Sequence, residues 1–548
     1  SGEEKFAFVP NEMVENQKDA FLKYDSTSGG LSKLYYGIDA PWTTYTEYAI
    51  DSSNNLTVGT GRNSQKGKQI AYGGLRMGGR SYYALDLADM NNPKLQFQIS
   101  PSDQKVYYNG SSKAVDALQY MGQSWSKPAI AWVKWGNSRK RVMFVGGGYD
   151  AGGDDGDART NGGKGAYAGY ESDTYNQTNA KGGGVYMFDA DTGDLLWWAS
   201  KNATTSTPST DSGVIGLNDG NLKYSVVSEI RTEDRNADGL VDHLYFGDLG
   251  GQLFRIDLNN NAATLGAFAK TPRLLLNLNA AEKSPRFYEM PGFSIYDYAG
   301  KTFAAISIGT GNRSQPLKDY TVGISGYDYD AVYNIYDKDV ARKDLYTATT
   351  FTKTLIKADL GEITQANRND DTTLVAPYTG NGWFYRFKSS GSNAKLQSAK
   401  VFATPIVLNS RMFVSTFDGS KPGLSGDCGA GVKGESFLQQ FCMPYGQCVK
   451  ATGGDGGGGE DPLECTSPDG CSTGSGIQTT TVVDDKKCNP AVESCEEIPP
   501  PQTNNSNYCI STGNRGATTI SGIISAGSSK ICLVPQRWYE FSGLRSGG

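Results

Sequence analysis

The sequence predicts an all-β fold, a modified β-propeller of about seven blades, with six or eight blades as alternatives. Its 548 residues include 69 glycines and 32 tyrosines but only 20% charged residues, a composition typical of short strands joined by tight turns. A run of alternating aromatic or aliphatic residues ending in aspartate, followed by a turn and a second apolar run, recurs along the chain. Such units cannot bury their apolar faces alone, so we expect them to stack radially as blades.

The recurring unit is clearest in four segments, each of which we interpret as part of a β-hairpin. These segments are residues 81–97, 184–198, 245–257 and 382–387. Apolar strands lie between them, and two of these strands end in glycine. They are residues 142–148, 303–311 and 412–417.

Long insertions are expected to interrupt the blades. Residues 150–179 are rich in glycine and aspartate, and Asp154, Asp155 and Asp157 form either a second cation site or a solvated acidic loop. The solvated loop is the favoured alternative. Residues 313–350 mix tyrosine with aspartate, and a short helix is expected near residues 337–344.

All nine cysteines lie in the last quarter of the chain, where the composition becomes rich in Cys, Gly and Pro. We predict blades over residues 1–425, a disulfide-stabilised insertion over 426–501, and strands that return to close the propeller over 502–548. Local pairing would join Cys442 with Cys448, 465 with 471, 488 with 495 and 509 with 532, leaving Cys428 unpaired. Spacing alone does not fix this connectivity.

The net charge and the cysteine content limit which compartment and which partners are expected. The net charge of −6 disfavours a nucleic-acid surface. The sequence also lacks a run of 18 apolar residues, so it predicts no membrane-spanning segment. Crowded cysteines indicate disulfides and an oxidising compartment. Zinc is the rival explanation, but the gaps of five and six residues between neighbouring cysteines differ from those of zinc knuckles. We therefore expect a secreted protein.

Near the midpoint, alternating oxygen-bearing side chains around a glycine predict a calcium loop at residues 234–242. Calcium takes about six to eight oxygen ligands at roughly 2.3–2.6 Å, and this spacing points the side chains at one centre. The predicted ligands are Asp234, Asn236, Asp238 and Asp242, with the carbonyl of Leu240 as a fifth. Gly239 supplies the backbone freedom that lets the loop double back.

The pattern departs from a helix–loop–helix calcium site. The twelfth position of such a loop is Tyr245, where no glutamate is present to supply two oxygens, and a strand follows in place of a helix. An acidic turn without a metal is the alternative interpretation. Three aspartates this close repel one another without a cation, so the calcium loop is favoured.

The segment that follows the loop, residues 245–258, resembles the signature blade of the PilC/PilY family of type IV pilus tip proteins. The glycine-rich run at 73–86 before a Tyr-Ala-Leu-Asp strand, and the segments 122–128 and 145–149, are similar to other parts of that family. The resemblance covers nearly the whole chain up to about residue 450. It implies a C-terminal modified propeller whose Ca²⁺ site tunes pilus extension and retraction.

The resemblance also implies a location and partners. Family members act at the pilus tip and on the cell surface or outer membrane, in adhesion to host-cell or abiotic surfaces and in twitching motility, so minor pilins and the type IV pilus tip are the expected partners. A large N-terminal region found in the family has no counterpart here, so we interpret the chain as a C-terminal part. The Cys-rich segment is less familiar and implies no particular receptor.

The alternative function is that of a pyrroloquinoline-quinone-dependent dehydrogenase, because residues 191–198 resemble the tryptophan turn of that propeller class. An adjacent cysteine pair, which many such enzymes use, is missing, and the turn occurs convincingly once. The sole histidine, His243, directly follows the last predicted calcium ligand, and a structural role is favoured over that of a catalytic base. We therefore predict no catalytic residues and no enzyme activity.

Overall fold

The computed structural model describes residues 4–17, 36–152, 169–206, 213–323, 326–368, 377–388, 396–408, 410–423, 433–448, 469–477, 508–511 and 530–533. The chain divides into two compact units, residues 1–290 and 291–548. Helical structure in the described residues is short. It consists of α1 (Asn11–Asn16) and the 3₁₀ turns Arg62–Ser64, Arg76–Gly78, Asp116–Tyr120, Gly169–Glu171, Leu265–Ala267, Ala281–Lys283 and Lys357–Asp359.

The described residues of the first unit form three sheets of four or more strands. The first sheet is an antiparallel meander whose strands follow chain order, apart from a small hairpin inserted between its first two strands. The sheet consists of β1 (Trp42–Glu47), β4 (Lys68–Gly73), β5 (Tyr82–Asp86), β6 (Lys94–Ser100), β7 (Lys105–Tyr108) and β8 (Ser111–Ala114); the hairpin consists of β2 (Ala49–Ile50) and β3 (Leu56–Thr57).

The second and third sheets of this unit hold the candidate site. The second sheet consists of β9 (Ala129–Trp135), β10 (Ser138–Gly146), β11 (Val185–Asp189), β12 (Leu195–Ser200) and β13 (Ile215–Asn218). Its last strand, β13, pairs in parallel with β12, whereas the other pairs are antiparallel. The third sheet is an antiparallel meander of β14 (Arg231–Glu233), β15 (His243–Gly247), β16 (Gln252–Asp257) and β17 (Arg273–Asn277).

The core of the first unit lies between these sheets. Every residue of β15 and β16 is buried, so both faces of this hairpin are covered. Phe246 and Phe254 stack across the pair with ring centroids 5.4 Å apart, in a cluster that includes Trp197 from the second sheet. Burying a side chain of this size contributes about 1.5–3 kcal/mol, so the apolar runs in the sequence become the interior of the sheets.

The second unit contains two further sheets. The fourth sheet consists of β18 (Gly292–Tyr298), β19 (Lys301–Gly309), β21 (Ala331–Asp337), β22 (Gly361–Glu362) and β23 (Gly382–Arg386), with β22 parallel to β23. The fifth consists of β25 (Ala399–Val401), β26 (Ile406–Leu408), β27 (Arg411–Asp418), β28 (Glu435–Cys442) and β29 (Cys471–Ser475). Two separate strand pairs also lie in the described part of this unit, β20 (Tyr320–Thr321) with β24 (Leu396–Gln397) and β30 (Tyr508–Ser511) with β31 (Lys530–Leu533).

The predicted all-β fold class is confirmed. The described residues form sheets of four to six strands, and two of these sheets are antiparallel meanders in chain order. Strands of this number and length are what propeller blades contain, and the radial arrangement of the sheets stays a prediction. Five such sheets lie within the described residues, and the number of about seven blades stays a prediction. The domain boundaries at 425 and 501 also stay a prediction, while β28 and β29, from the segment 426–501, join the fifth sheet.

The short helix expected near residues 337–344 is not present. Strand β21 continues to Asp337, and turns follow it. The Asp337 carboxylate accepts a hydrogen bond from the amide of Val340 at 3.2 Å, and the Asp339 carboxylate accepts one from the amide of Thr352 at 2.7 Å. Aspartates that bind backbone amides in this way stabilise turns in competition with a helix.

The predicted disulfide between Cys442 and Cys448 is confirmed, with the two Cα atoms 5.0 Å apart. Cys471 also takes part in a disulfide. In the pair β30–β31, Cys509 and Cys532 occupy directly opposite positions. The remaining cysteines, 428, 465, 488 and 495, lie outside the described residues.

The loop closed by this disulfide joins two sheets of the second unit. The carbonyl of Pro444 accepts hydrogen bonds from the Tyr336 hydroxyl at 2.7 Å and from the Trp383 indole at 2.8 Å. Both aromatic residues belong to the fourth sheet, whereas the loop continues from β28 of the fifth. The loop closed by the disulfide therefore holds the Pro444 carbonyl against the fourth sheet.

Candidate metal centre

The predicted calcium loop connects β14 to β15 in the third sheet. Asp234 directly follows β14, and Asp242 directly precedes β15, so the paired strands bring the two ends of the loop together. Gly239 has a φ of +81°, the left-handed conformation expected of it. Ala237 has a φ of +59°, a second left-handed position that the sequence did not reveal.

The four predicted side-chain ligands turn towards the backbone of their own loop. Asp234 Oδ2 accepts a hydrogen bond from the Gly239 amide at 2.7 Å, and Asn236 Oδ1 accepts one from the Asp238 amide at 3.0 Å. Asp238 Oδ1 accepts from the Leu240 amide at 2.8 Å, and Asp242 Oδ2 accepts from the Arg235 amide at 2.9 Å. These bonds hold the oxygen-bearing side chains in a fixed, tightly turned arrangement.

The side chains of the loop supply oxygen donors, the donor type that a hard cation such as Ca²⁺ prefers. Asp234 Oδ1 is buried and has no hydrogen-bond partner among the described residues, which leaves a carboxylate oxygen available for a ligand bond. In the described part of the chain, no group of three or more His, Cys, Asp or Glu side chains has a geometry suited to a metal. A cation in the loop would therefore also need the Asn236 amide oxygen and the Leu240 carbonyl.

A second acidic turn, at residues 189–194, shows how the chain neutralises aspartates with its own cations. Lys140 Nζ lies 2.6 Å from an Asp189 oxygen, and Lys113 Nζ lies 3.1 Å from an Asp194 oxygen. Arg141 pairs with the third carboxylate of this turn. By contrast, Asp234, Asp238 and Asp242 form no ion pair with lysine or arginine in the described structure. The two acidic turns therefore differ in that only the turn 189–194 pairs its carboxylates with basic side chains in the described structure.

A buried ion network lies behind the loop. His243 Nδ1 is 2.7 Å from Asp257 Oδ1, and Arg255 Nε is 2.9 Å from the same oxygen; the three side chains are at most 3% exposed. Burial raises the pKa of Asp257, but the Arg255 charge and the hydrogen bond from His243 outweigh it and hold that pKa at about 2. The sole histidine therefore has a structural partner inside the third sheet.

The low pKa of Asp257 predicts how stability depends on pH. A carboxyl group whose pKa is lower in the folded state contributes stability above its unfolded pKa, and this contribution is lost as pH falls towards the folded value. We expect Asp257 to contribute about 2 kcal/mol at neutral pH, declining from about pH 4 towards pH 2. Urea unfolding of the wild type and Asp257→Asn at pH 7, 5, 4 and 3 measures this decline. A stability difference between the two proteins that stays constant down to pH 3 would contradict it.

Burial also raises the pKa of Asp242 and of Glu233 at the two ends of the loop. For Asp242, burial is opposed by His243, by the Arg235 amide and by the Asn260 amide group. For Glu233, burial is opposed chiefly by Arg231, whose Nε lies 2.5 Å from its carboxylate. Both carboxylates are thus partly shielded from water. In such surroundings the attraction between a carboxylate and a cation is stronger than on an open surface.

The other candidate residues have structural surroundings. Asp150 is fully buried and accepts hydrogen bonds from the Tyr175 hydroxyl, the Asn179 amide group and the Gly152 amide. Asp154, Asp155 and Asp157, the predicted second cation site, lie outside the described residues. Trp197 and Trp198, from the turn that resembles a quinone-binding propeller, are each 1% exposed and pack in the core.

Two residues that contact the loop were missed by the sequence analysis. Asn260 follows β16, and its side chain reaches Val241 and Asp242. Arg139, from the start of β10, donates a hydrogen bond to the Gly239 carbonyl at 3.2 Å. Neither belongs to a recognisable motif, and both are brought to the loop by the packing of the second and third sheets.

Comparison with known proteins gives relatives of one kind. The chain is 22% identical over 536 residues to a type IV pilus biogenesis factor PilY1 homolog of Xylella fastidiosa, covering 91% of this chain and 29% of that protein. It is 24% identical over 257 residues to the type IV pilus biogenesis factor PilY1 of Pseudomonas aeruginosa, covering 47% of this chain and 15% of that protein. No family model matches the sequence.

A solved structure is also similar, the crystal structure of the Pseudomonas aeruginosa PilY1 C-terminal domain. The match has a TM-score of 0.47 and 17% identity, and covers 88% of this chain and 85% of that chain. The resemblance to the PilC/PilY family is confirmed by the curated relatives. The chain spans less than a third of the length of those relatives. None of the helices in the described residues is long and apolar enough to cross a membrane.

Proposed function

We propose that this chain is the calcium-binding C-terminal part of a type IV pilus biogenesis protein that regulates pilus extension and retraction and supports surface adhesion and twitching motility. Two findings support the proposal. The curated relatives are named as type IV pilus biogenesis factors. The loop 234–242 holds four oxygen-bearing side chains in fixed positions, and one buried carboxylate oxygen there has no hydrogen-bond partner in the described structure.

The observation that carries the proposal is the chemistry of this loop. Asp234, Asn236, Asp238, Asp242 and the Leu240 carbonyl would hold Ca²⁺, which supplies the positive charge that the three carboxylates lack. The loop side chains already bind their own backbone amides, so a cation would add to an arrangement that the chain itself orients. Occupancy would then set the shape of the surface around the loop, which a partner can recognise.

A modest affinity is enough for such a switch. Extracellular modules often bind calcium with Kd of about 10⁻⁴–10⁻³ M. At a calcium concentration tenfold above Kd, occupancy stabilises the bound form by about 1.4 kcal/mol. That free energy changes an equilibrium between two loop conformations roughly tenfold, which suits a response to external calcium.

The partners proposed for this chain are minor pilins at the pilus tip, together with host-cell or abiotic surfaces. The setting would be the cell surface, the outer membrane or the secreted pilus tip. The disulfide between Cys442 and Cys448 supports an oxidising compartment of this kind. We propose a binding role without catalysis, since His243, Trp197 and Trp198 are buried in structural contacts.

The test is calcium titration of the purified chain by isothermal calorimetry, with Mg²⁺ as the control cation. We expect a single calcium site and much weaker binding of Mg²⁺, because Mg²⁺ demands a tighter octahedral shell and gives up its water reluctantly. A cell that carries loop variants in the full-length protein should then show altered pilus retraction and twitching. A flat calcium titration of the wild-type chain would refute the proposal.

The size-preserving variant Asp238→Asn should weaken calcium binding less than removal of a ligand. It keeps one ligand oxygen and the acceptor for the Leu240 amide, but loses one negative charge. We expect an increase in Kd of roughly tenfold or less, since ligand charge tunes the affinity of such loops. Calorimetry of both proteins measures the ratio. Unchanged affinity would show that Asp238 does not contact the cation.

A further inference from the structure

The loop 234–242 covers the open edge of the neighbouring second sheet. Strand β9 is the last strand of that sheet, so its outer backbone groups need partners from elsewhere. The Val241 amide donates to the Trp132 carbonyl of β9 at 2.9 Å. The Lys134 amide, two residues further along the same edge, donates to the Asn260 side-chain oxygen at 2.9 Å. The calcium loop and the residue that supports it therefore complete the hydrogen bonding of β9.

We call the contact between β9 of the second sheet and the loop 234–242 of the third sheet the joint, and Asn260 connects its two sides. Its side chain is 8% exposed, and while its oxygen accepts from β9, its nitrogen donates to the Val241 carbonyl at 2.9 Å and to Asp242 Oδ1 at 3.2 Å. A buried amide with all these bonds has one orientation, because turning it would place donors against donors. Asn260 is thus locked between the second sheet and a predicted calcium ligand.

The ligand carboxylate is held on both oxygens. Asn260 binds Asp242 Oδ1, and the Arg235 amide binds Asp242 Oδ2 at 2.9 Å. Residues that orient metal ligands in this way commonly alter metal affinity by about 10- to 100-fold when they are removed. A movement of Asp242 on binding a cation would therefore be transmitted through Asn260 to the Lys134 amide.

A second contact crosses the same joint. The Arg139 guanidinium, from the start of β10, donates to the Gly239 carbonyl at 3.2 Å. It also lies over the Trp132 ring, with its central carbon 5.6 Å from the ring centroid. The loop is therefore held by the second sheet near its apex, as well as at the end that leads into β15.

We infer that Asn260 is a positioning residue that orients Asp242 for calcium and couples occupancy of the loop to the joint between the second and third sheets. The inference rests on the proposed calcium site. Calcium binding would stabilise the hydrogen bonds that cover the outer edge of β9, and loss of calcium would weaken them. The regulated surface is then the joint at β9, where a second protein would sense the metal state.

The first test uses the unmodified chain. Hydrogen–deuterium exchange of peptides covering residues 129–135 is measured in chelator and at a calcium concentration tenfold above the Kd found by calorimetry. We expect calcium to slow exchange in this segment up to about tenfold, the limit set by mass action at that occupancy. Calcium binding without any change of exchange in β9 would overturn the inference but leave the proposed calcium site standing.

The second test compares Asn260→Ala with Asn261→Ala, a matched control whose side chain is exposed. We expect Asn260→Ala to weaken calcium binding by about 10- to 100-fold and to abolish calcium protection of β9, whereas Asn261→Ala behaves as the wild type. Melting in chelator checks that both variants fold. Wild-type affinity in folded Asn260→Ala would overturn the positioning role. A wild-type chain that binds no calcium would remove the proposed function, and the inference with it.

Discussion

Replacing both Asp234 and Asp242 by alanine is expected to abolish calcium binding while the chain still folds. The two residues mark the ends of the loop, and Asp234 carries the buried oxygen that has no hydrogen-bond partner among the described residues. Without them the loop retains one carboxylate, one amide oxygen and one carbonyl, too few for a cation that takes about six to eight oxygens. The apolar core of the sheets does not depend on either side chain.

Isothermal titration of the double variant should give no measurable heat of calcium binding, corresponding to an increase in Kd of at least about 100-fold. The control is Asp89→Ala with Asp219→Ala, which also removes two carboxylates but takes them from turns where each accepts an amide two residues ahead. Calcium affinity equal to that of the wild type in the loop variant would refute the ligand assignment. If chelation of the wild type instead melts the whole domain, the site is structural and the regulatory role fails.

Replacing Asp257 by alanine should destabilise the first unit by about 3–5 kcal/mol, the largest effect we expect from a single substitution. Asp257 neutralises Arg255, which is fully buried, and also binds His243. Removal of Asp257 takes a counter-charge away from the buried Arg255, and loss of one partner of a buried ion pair is strongly destabilising. The cost therefore reflects the buried Arg255 charge more than the strength of the lost bond.

Urea unfolding at pH 7 measures this effect, and Lys113→Ala is the matched control. Lys113 and Asp194 form an ion pair in which the side chains are 37% and 40% exposed, so the loss of Lys113 should cost less than about 1 kcal/mol. Similar destabilisation by the two variants would contradict the view that burial determines the difference. Asp257→Ala should also lower calcium affinity only slightly, because the Asp257 carboxylate binds His243 and Arg255, neither of which is a predicted ligand.

Local patterns in the sequence were sufficient to predict the positions of these hairpins and of the loop 234–242. The segment 245–257 became β15 and β16, and 184–198 became β11 and β12, because alternating apolar residues have one stable way to be buried. The Asp and Asn spacing around Gly239 gave the loop, since these residues bind their own backbone amides whatever surrounds them. Its bound metal stays a prediction.

What the sequence did not reveal depends on contacts between distant segments. Strand β13 pairs in parallel with β12 across an intervening stretch, a partnership that no local pattern encodes. The aspartates of the turn 189–194 are neutralised by basic residues from other strands, so an acidic motif alone does not distinguish a self-neutralised turn from a cation site. Asn260 likewise gains its role only when the second and third sheets meet.

The Pro444 carbonyl lies in a ring closed by the Cys442–Cys448 disulfide and accepts hydrogen bonds from two aromatic side chains of the fourth sheet. This arrangement affects how the protein should be produced. In the bacterial cytoplasm, thiols stay reduced, and the ring would not close. Recombinant chain harvested from that source should therefore have a looser second half that proteases cut more readily than material exported to the periplasm. Preparations for binding assays are best taken from the exported pool.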